Sequence, residues 1–474
     1  MAYGIIVAGV CLRIIHDTRN TAKTLAYLLL VIFVPLAGMA VYFTVGINYR
    51  KRKLYDHKLS DDEHLRRRME ERIIAVSRTL VEERAEVAPA RGLVRLLLRD
   101  GRSGLTGDNA VRLLINGEEK FPALLQALEE AQHHIHMEYY IIERGVIAGR
   151  IRDVLMRKAR AGVQVRLIHD DYGSRSIRGK WLRELRTSGA EVFPFNRVRL
   201  VPFANRLNYR NHRKLVVVDG CRAFVGGINI SDRYINDGNS DGLYWRDTHL
   251  MIEGSAARRL QHLFLADWNF CAGQQVEPAP ALFPPPDPAA HGGESVQVAA
   301  SGPDSPAPMI MLSLVRAITM AREEVLITTP YFIPGEAILE ALRVAALGGV
   351  RVRILVPERS DSRLVDAAAH SYFNEMLEAG VEIHLYQRGF IHAKTLLVDG
   401  HVAIVGTANM DQRSFELNFE VNAVVYSAKL GAQLRAQFLS DLAHAEPIDP
   451  ARWKARPQFK QLPERLARLA SPLL

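Results

Sequence analysis

The stretch HRKLVVVDGCRAFVGGIN, residues 212–229, recurs as HAKTLLVDGHVAIVGTAN at residues 392–409. Each copy reads His-x-Lys-x4-Asp, then a β-branched run, then a glycine and an asparagine. Working outward, AGVQVRLI (161–168) matches GGVRVRIL (348–355), and SGAEVFPF (188–195) resembles AGVEIHLY (379–386). The offsets are 187, 191 and 180 residues, so the first copy carries an insertion of about eleven residues between 196 and 212. In each copy a helical pattern (154–161, 338–346) feeds an apolar strand pattern (164–168, 351–355), as βαβ units do. The repeat therefore predicts an α/β protein built from two tandem copies of one unit.

Composition sets the outer limits. The chain has 474 residues, 48% of them apolar, with 61 Lys plus Arg against 52 Asp plus Glu, a formal charge of +9. That excludes a mainly disordered chain. Cys11, Cys221 and Cys271 are scattered and odd in number, which argues against a disulfide framework or a cysteine zinc site.

Leu25 to Ile47 is an uncharged apolar run of 23 residues. As one helix it would extend ~35 Å, enough to cross a ~30 Å hydrocarbon core, and it is read as a transmembrane helix. Ala2 to Leu12 is too short to span and is read as a short first segment or an interfacial piece. Arg50, Lys51, Arg52 and Lys53 follow the long run and place the bulk of the chain on the cytoplasmic side. The expected organisation is a membrane anchor (1–48), a basic helical connector (49–100), a first domain (101–275), a linker (276–300), a second domain (301–448) and a basic tail (449–474). The linker assignment rests on six prolines between 278 and 288. In the tail, Leu462, Leu466, Leu469 and Leu473 recur at helical spacing, suiting a bilayer interface or the protein body.

Strand periodicity puts His212 and Lys214 on one face, and His392 and Lys394 likewise. Asp219-Gly220 and Asp399-Gly400 are hairpin signals between two β-rich runs. The hairpins should bring Asn229 and Asn409 near their own histidines. Such a set suits a phosphodiester. One imidazole attacks phosphorus and a second protonates the leaving oxygen, while two lysines and two asparagines hold the equatorial oxygens. Four such donors make a metal or other cofactor unnecessary. Asp219 and Asp399 also have an ordinary reading as turn residues, and Gly226 and Gly406 as backbone requirements. HHIHMEYY (133–140) places His134, His136 and Glu138 on one strand face and invites a metal reading, but the matching strand LITTPYFI has no ligand types, so it is read as a buried or surface-lining strand. Residues 197–214 hold Arg197, Arg199, Arg206, Arg210, Arg213 and Lys214 with no acid, and suit an anionic lipid surface better than nucleic acid beside an anchor.

The doubled His-x-Lys-x4-Asp motif resembles the phospholipase D superfamily. The anchor, the Pro-rich linker, SGPD (301–304), TPYFIP (329–334) and the ending SPLL (471–474) resemble bacterial cardiolipin synthases within it. The resemblance implies two phospholipase D-like α/β/α sandwich domains with mixed sheets and pseudo-twofold symmetry. It implies one site shared by His212, Lys214 and Asp219 with His392, Lys394 and Asp399, and His212 as the nucleophile. It implies an acidic residue behind each histidine; Glu420 (LNFE) lies 28 residues after His392, and Asp247 (WRD) is its first-half counterpart. Gly227 stands where the family often has Ser or Thr, so it lacks the hydroxyl of Thr407. The reaction implied is phosphatidyl transfer between two phosphatidylglycerols, giving cardiolipin and glycerol at the bacterial inner membrane. Rival readings are a phospholipase D hydrolase, another phosphatidyltransferase, a nucleic-acid phosphodiesterase, and a non-enzymatic lipid-binding scaffold. Oligomeric state is not legible.

Overall fold

The computed structural model describes residues 2–17, 21–43, 63–99, 103–196, 209–236, 242–276, 279–284 and 292–471. The basic cluster at 50–53 and most of the insertion after 196 lie outside these.

The apolar run at 25–47 is not one helix. It forms Thr21–Phe33 and Pro35–Val41, after a first helix Ala2–Asp17. Pro35 has no N–H and its ring restricts the residue before it. Val34 accordingly leaves the helical region, at φ −133° and ψ 66°. The chain then folds back on itself: the Tyr27 and Tyr42 rings lie 5.7 Å apart, and Tyr42 donates to Asp17 Oδ2 at 3.2 Å. Among the described residues no helix is long and apolar enough to cross a membrane. Phe33 and Leu36, flanking the fold, are about three-quarters exposed.

The repeat builds one continuous mixed sheet of fifteen strands. Strand Lys214–Val218 pairs antiparallel with Arg222–Gly226 on one side and His134–Tyr139 on the other, and Gln164–Asp170 and Glu191–Phe195 follow in parallel. The second half repeats this order with Thr395–Val398, Val402–Gly406, Glu324–Thr328, Arg351–Pro357 and Glu382–Tyr386. The halves join where Thr106–Ile115 pairs with Glu294–Ser301. That last strand begins inside the stretch read as a linker, and it also pairs with Glu420–Tyr426.

Strand alternation gives the sheet two apolar faces. Val216 and Val218 pack under helices Asn116–Glu130 and Val146–Arg160, and Leu396 and Val398 pack under the matching helices of the second half. Leu215, Val217 and Leu397 face the opposite side, where Phe264, Trp268, Leu434 and Phe438 from helices Ser255–Ala272 and Ala428–Leu442 cover both halves. The layering is α/β/α, shared across the pseudo-twofold.

Asp219 and Asp399 sit in the hairpin turns with φ 51° and 48°, each followed by a glycine at φ 68°, as a type I′ turn requires. The C-terminal helix Gln458–Arg468 docks on Arg363–Glu378, where Arg468 pairs with Glu375 and Tyr372 donates to Ser471 at 3.0 Å. Phe459, Leu462, Leu466 and Leu469 remain exposed; Leu473 lies outside the described residues.

Candidate active site

Both histidines sit just before the first residue of a central strand, where the chain leaves the sheet edge. There each is stitched to the opposite half. His212 N–H donates to Phe419 O at 3.0 Å, and Phe419 N–H donates back to Arg210 O at 2.9 Å. Symmetrically, His392 N–H donates to Arg246 O at 2.7 Å, beside the parallel pairing of Gly389–Ile391 with Tyr244–Arg246. The next residue in each partner strand is the carboxylate. Glu420 therefore meets His212, with its oxygens 2.9 and 3.0 Å from Nδ1, and Asp247 meets His392 Nδ1 at 2.7 Å. Each acid serves the histidine of the other half. In both rings Nδ1 is committed, which leaves Nε2 as the free nitrogen.

His212, His392, Asn229 and Asn409 line one cavity of about 360 Å³ between the halves. The lysines lie buried beneath it. Lys214 Nζ donates to His212 O at 2.6 Å, and Lys394 Nζ donates to His392 O. Asn229 lines the same cavity as His212. Its amide donates to Tyr234 at 3.0 Å, and that hydroxyl lies 3.3 Å from His392 Nδ1. Asn409 Nδ2 donates to Asp411 at 3.0 Å, and its carbonyl oxygen is buried with no hydrogen bond among the described residues.

Thr407 and Gly227 account for each other. The Thr407 hydroxyl does not reach the cavity; it donates to Glu420 Oε2 at 2.5 Å. A side chain at 227 would put Cβ 2.1 Å from Asp247 Oδ1. The glycine is the space that the shorter acid occupies.

Asp219 and Asp399, grouped with the catalytic set in the sequence, do not line the cavity. Asp219 accepts from the N–H groups of Gln132, His133 and His134, each at 2.8 Å. Asp399 does the same for Arg322, Glu323 and Glu324 at 2.9, 2.8 and 3.0 Å. Each ties its hairpin to the start of the neighbouring strand. The face of His134, His136 and Glu138 is also divided. His136 stacks on Phe264 at 4.5 Å and pairs with Gln261, while Glu138 is bound by Asn211.

Burial governs the charges. It pushes His212 down to about 4; the Glu420 charge opposes this and Lys214 adds to it. Burial and Lys394 push His392 down to about 3, against Asp247. Burial also lowers Lys214 well below the ordinary lysine value, and lowers Lys394 to about 8. Burial would raise Glu420, but the charge and hydrogen bond of His212, with Lys214 and Thr407, hold it below the ordinary value. With no anion bound, both imidazoles are neutral at pH 7 and one is ready to attack.

Several lining residues had no motif to reveal them. Tyr140 meets His212 edge-on at 4.9 Å, and Tyr234, Trp245 and Phe390 ring His392 at 6.0, 5.9 and 5.7 Å. Only nearness in sequence was a hint: Tyr140 ends HIHMEYY, Trp245 opens WRD, and Phe390 stands two residues before His392.

Comparison with known proteins agrees with this geometry. A family model described as "Cardiolipin synthase, PLD-like domain" matches residues 124–268 and 314–442, and one described as "Phospholipase_D-nuclease N-terminal" matches 4–46. A cardiolipin synthase of Geobacillus kaustophilus is 42% identical over 99% of this chain and 92% of its own length. A major cardiolipin synthase of Bacillus subtilis is 37% identical over 97% of this chain and 95% of its own. Among solved structures, a phosphatidylserine synthase from Haemophilus influenzae superposes with TM-score 0.55 at 14% identity, covering 77% of this chain and 95% of that one, which is a likeness of fold. Two matched repeats, one cavity with a histidine from each, and near full-length kinship lead to one assignment: the chain belongs to the cardiolipin synthase family of phospholipase D-like phosphatidyltransferases.

Proposed function

We propose that this chain joins two phosphatidylglycerols into cardiolipin and glycerol through a phosphohistidine on His212. The crossed carboxylates carry the reading. Each fixes one imidazole with Nδ1 inward and Nε2 free, so two rings can act on one phosphorus. His212 Nε2 attacks the phosphodiester, the bond to the glycerol oxygen breaks, and His392 supplies the proton to that oxygen. The bound phosphodiester is itself an anion. It raises the pKa of the His392 imidazole, so the acid is charged when substrate is present. The phosphorylated His212 ring is cationic, and Glu420, with both oxygens near Nδ1, suits that charge. A second lipid hydroxyl then attacks phosphorus, His392 takes its proton, and the P–N bond breaks. Lys214, Lys394, Asn229 and Asn409 are assigned to the phosphoryl oxygens.

The substrates require contact with a membrane. We assign the work to the cytoplasmic membrane, with the catalytic halves on its cytoplasmic face. The exposed Phe33 and Leu36 and the exposed leucines of Gln458–Arg468 support contact with the bilayer, and the cluster Arg50, Lys51, Arg52 and Lys53 after the apolar run supports the cytoplasmic face.

The test uses purified full-length protein in phosphatidylglycerol mixed micelles, with cardiolipin, phosphatidic acid and glycerol followed by mass spectrometry. Cardiolipin and glycerol should rise together and be lost in both His212→Ala and His392→Ala. Phosphatidic acid without cardiolipin would show a hydrolase instead.

A further inference from the structure

The pseudo-twofold fails at one position that faces the cavity. Two residues before His212 stands Arg210; two residues before His392 stands Phe390. Both line the cavity. Phe390 joins the aromatic ring set around His392. Arg210 is 5% exposed, and its Nη1 is buried with no hydrogen-bond partner among the described residues. The Asp170 carboxylate stays 3.9 Å away, and the guanidinium carbon lies 4.8 Å over the Tyr172 ring. The Arg210 carbonyl accepts from the N–H of Phe419, the residue whose own carbonyl accepts from His212 N–H.

A guanidinium stays charged wherever it is buried, and a buried donor without an acceptor is costly. Such a group facing a cavity is a site for an anion. A second cation stands close by. Arg413 lines the same cavity. The reacting phosphoryl group already has the lysine and asparagine pairs, so Arg210 suits a different anion.

The reaction brings one. The attacking lipid carries its own phosphodiester, three carbons from its reacting hydroxyl. Water, ethanol or glycerol carries none. We propose that Arg210 binds the phosphodiester of the acceptor lipid, and so selects a lipid alcohol over small alcohols and water for attack on the phosphohistidine. This rests on the transfer reading above and names its second subsite. In the step itself the acceptor oxygen bonds to phosphorus, the P–Nε2 bond of His212 breaks, and the acceptor proton goes to His392 Nε2. The acceptor's own phosphodiester stays intact. The acceptor hydroxyl thus meets phosphorus from the His392 side, opposite the P–Nε2 bond, while its own phosphodiester lies at Arg210 beside His212.

The test is a partition ratio. Full-length enzyme in phosphatidylglycerol micelles is supplied with ethanol, so that one intermediate divides between cardiolipin and phosphatidylethanol. In Arg210→Gln the ratio of cardiolipin to phosphatidylethanol should fall at least tenfold, and Arg210→Lys should recover part of it. Because the ratio is taken within one population, loss of folded protein does not move it. A ratio within twofold of wild type, whatever the total yield, would overturn the proposal and reduce Arg210 to a packing partner of Tyr172. Neither product from the wild-type protein would overturn the transfer reading, and the subsite with it.

Discussion

The surroundings of His212 and of His392 grew from the same motif and differ in almost everything around it. His212 leans on a glutamate that touches Nδ1 with both oxygens and itself accepts from Thr407 at 2.5 Å and Asn418 at 3.2 Å. Arg210 stands beside it. His392 leans on one oxygen of an aspartate, has a tyrosine hydroxyl 3.3 Å from the same Nδ1, and is walled by Trp245 and Phe390. One environment stabilises a ring that must carry positive charge through an intermediate. The other suits a ring that takes a proton briefly and gives it away. A duplicated motif thus supplies two copies of a side chain, and its neighbours divide the labour.

The sharpest way to break this comparison is to remove the need for an acid. A phosphatidyl p-nitrophenyl diester has a leaving group that departs unprotonated. His392→Ala should still release one burst of nitrophenol per site and then stall, whereas His212→Ala should show no burst, a loss of at least ~10³-fold in the first turnover. The opposite pattern would exchange the two roles.

Much of this arrangement is legible in the amino-acid sequence. Hairpin signals, strand alternation and the repeat are local, so spacing alone places the two histidine-lysine pairs. The crossing of the carboxylates is not legible there. Glu420 lies 208 residues from His212 but 28 from His392, and nothing in that shorter spacing says that Phe419 pairs with the first-half backbone. Backbone pairing between distant segments leaves no period to read. The apolar run at 25–47 misleads for the converse reason: its length reads as a helix while Pro35, one residue within it, sets the fold. Asp219 and Asp399 belong to the motif by spacing, yet the motif's geometry uses them to tie a turn to the next strand.

The second comparison to press is the pair of supports, Gly227 against Thr407. Gly227→Ala forces a methyl onto Asp247 Oδ1. That should unseat His392 and cut kcat by ~10²-fold, with KM little changed. Thr407→Val removes a single donor to Glu420 and should cost ~10-fold in kcat. In the nitrophenyl assay the two should separate. Gly227→Ala keeps its burst because the acid is not needed, and Thr407→Val slows the burst because the nucleophile's support is weakened. Equal slowing of both bursts would mean that the two supports act on one shared step.

The lysines give the smallest and most direct contrast. Burial lowers both, yet Lys394 is held at about 8 while Lys214 is driven well below the ordinary lysine range. A lowered lysine pKa means that the cation is present below that value and lost as pH rises through it. Phosphate binding through Lys394 should therefore weaken above pH 8. Its protonated fraction falls about fourfold between pH 7 and 8.5, so kcat/KM of the wild type relative to Lys394→Arg should fall by that factor over the range, beyond the fall that proton uptake by His392 gives both. On the acid side no loss is expected down to about pH 5, because the free imidazoles stay neutral until about 4 and 3. Lys394→Arg keeps its charge at high pH and should flatten the alkaline limb, while Lys214→Arg should leave its midpoint in place. A limb that moves with Lys214 and not with Lys394 would transfer the titrating cation to the His212 side and put both charged groups, arginine and lysine, around the same histidine.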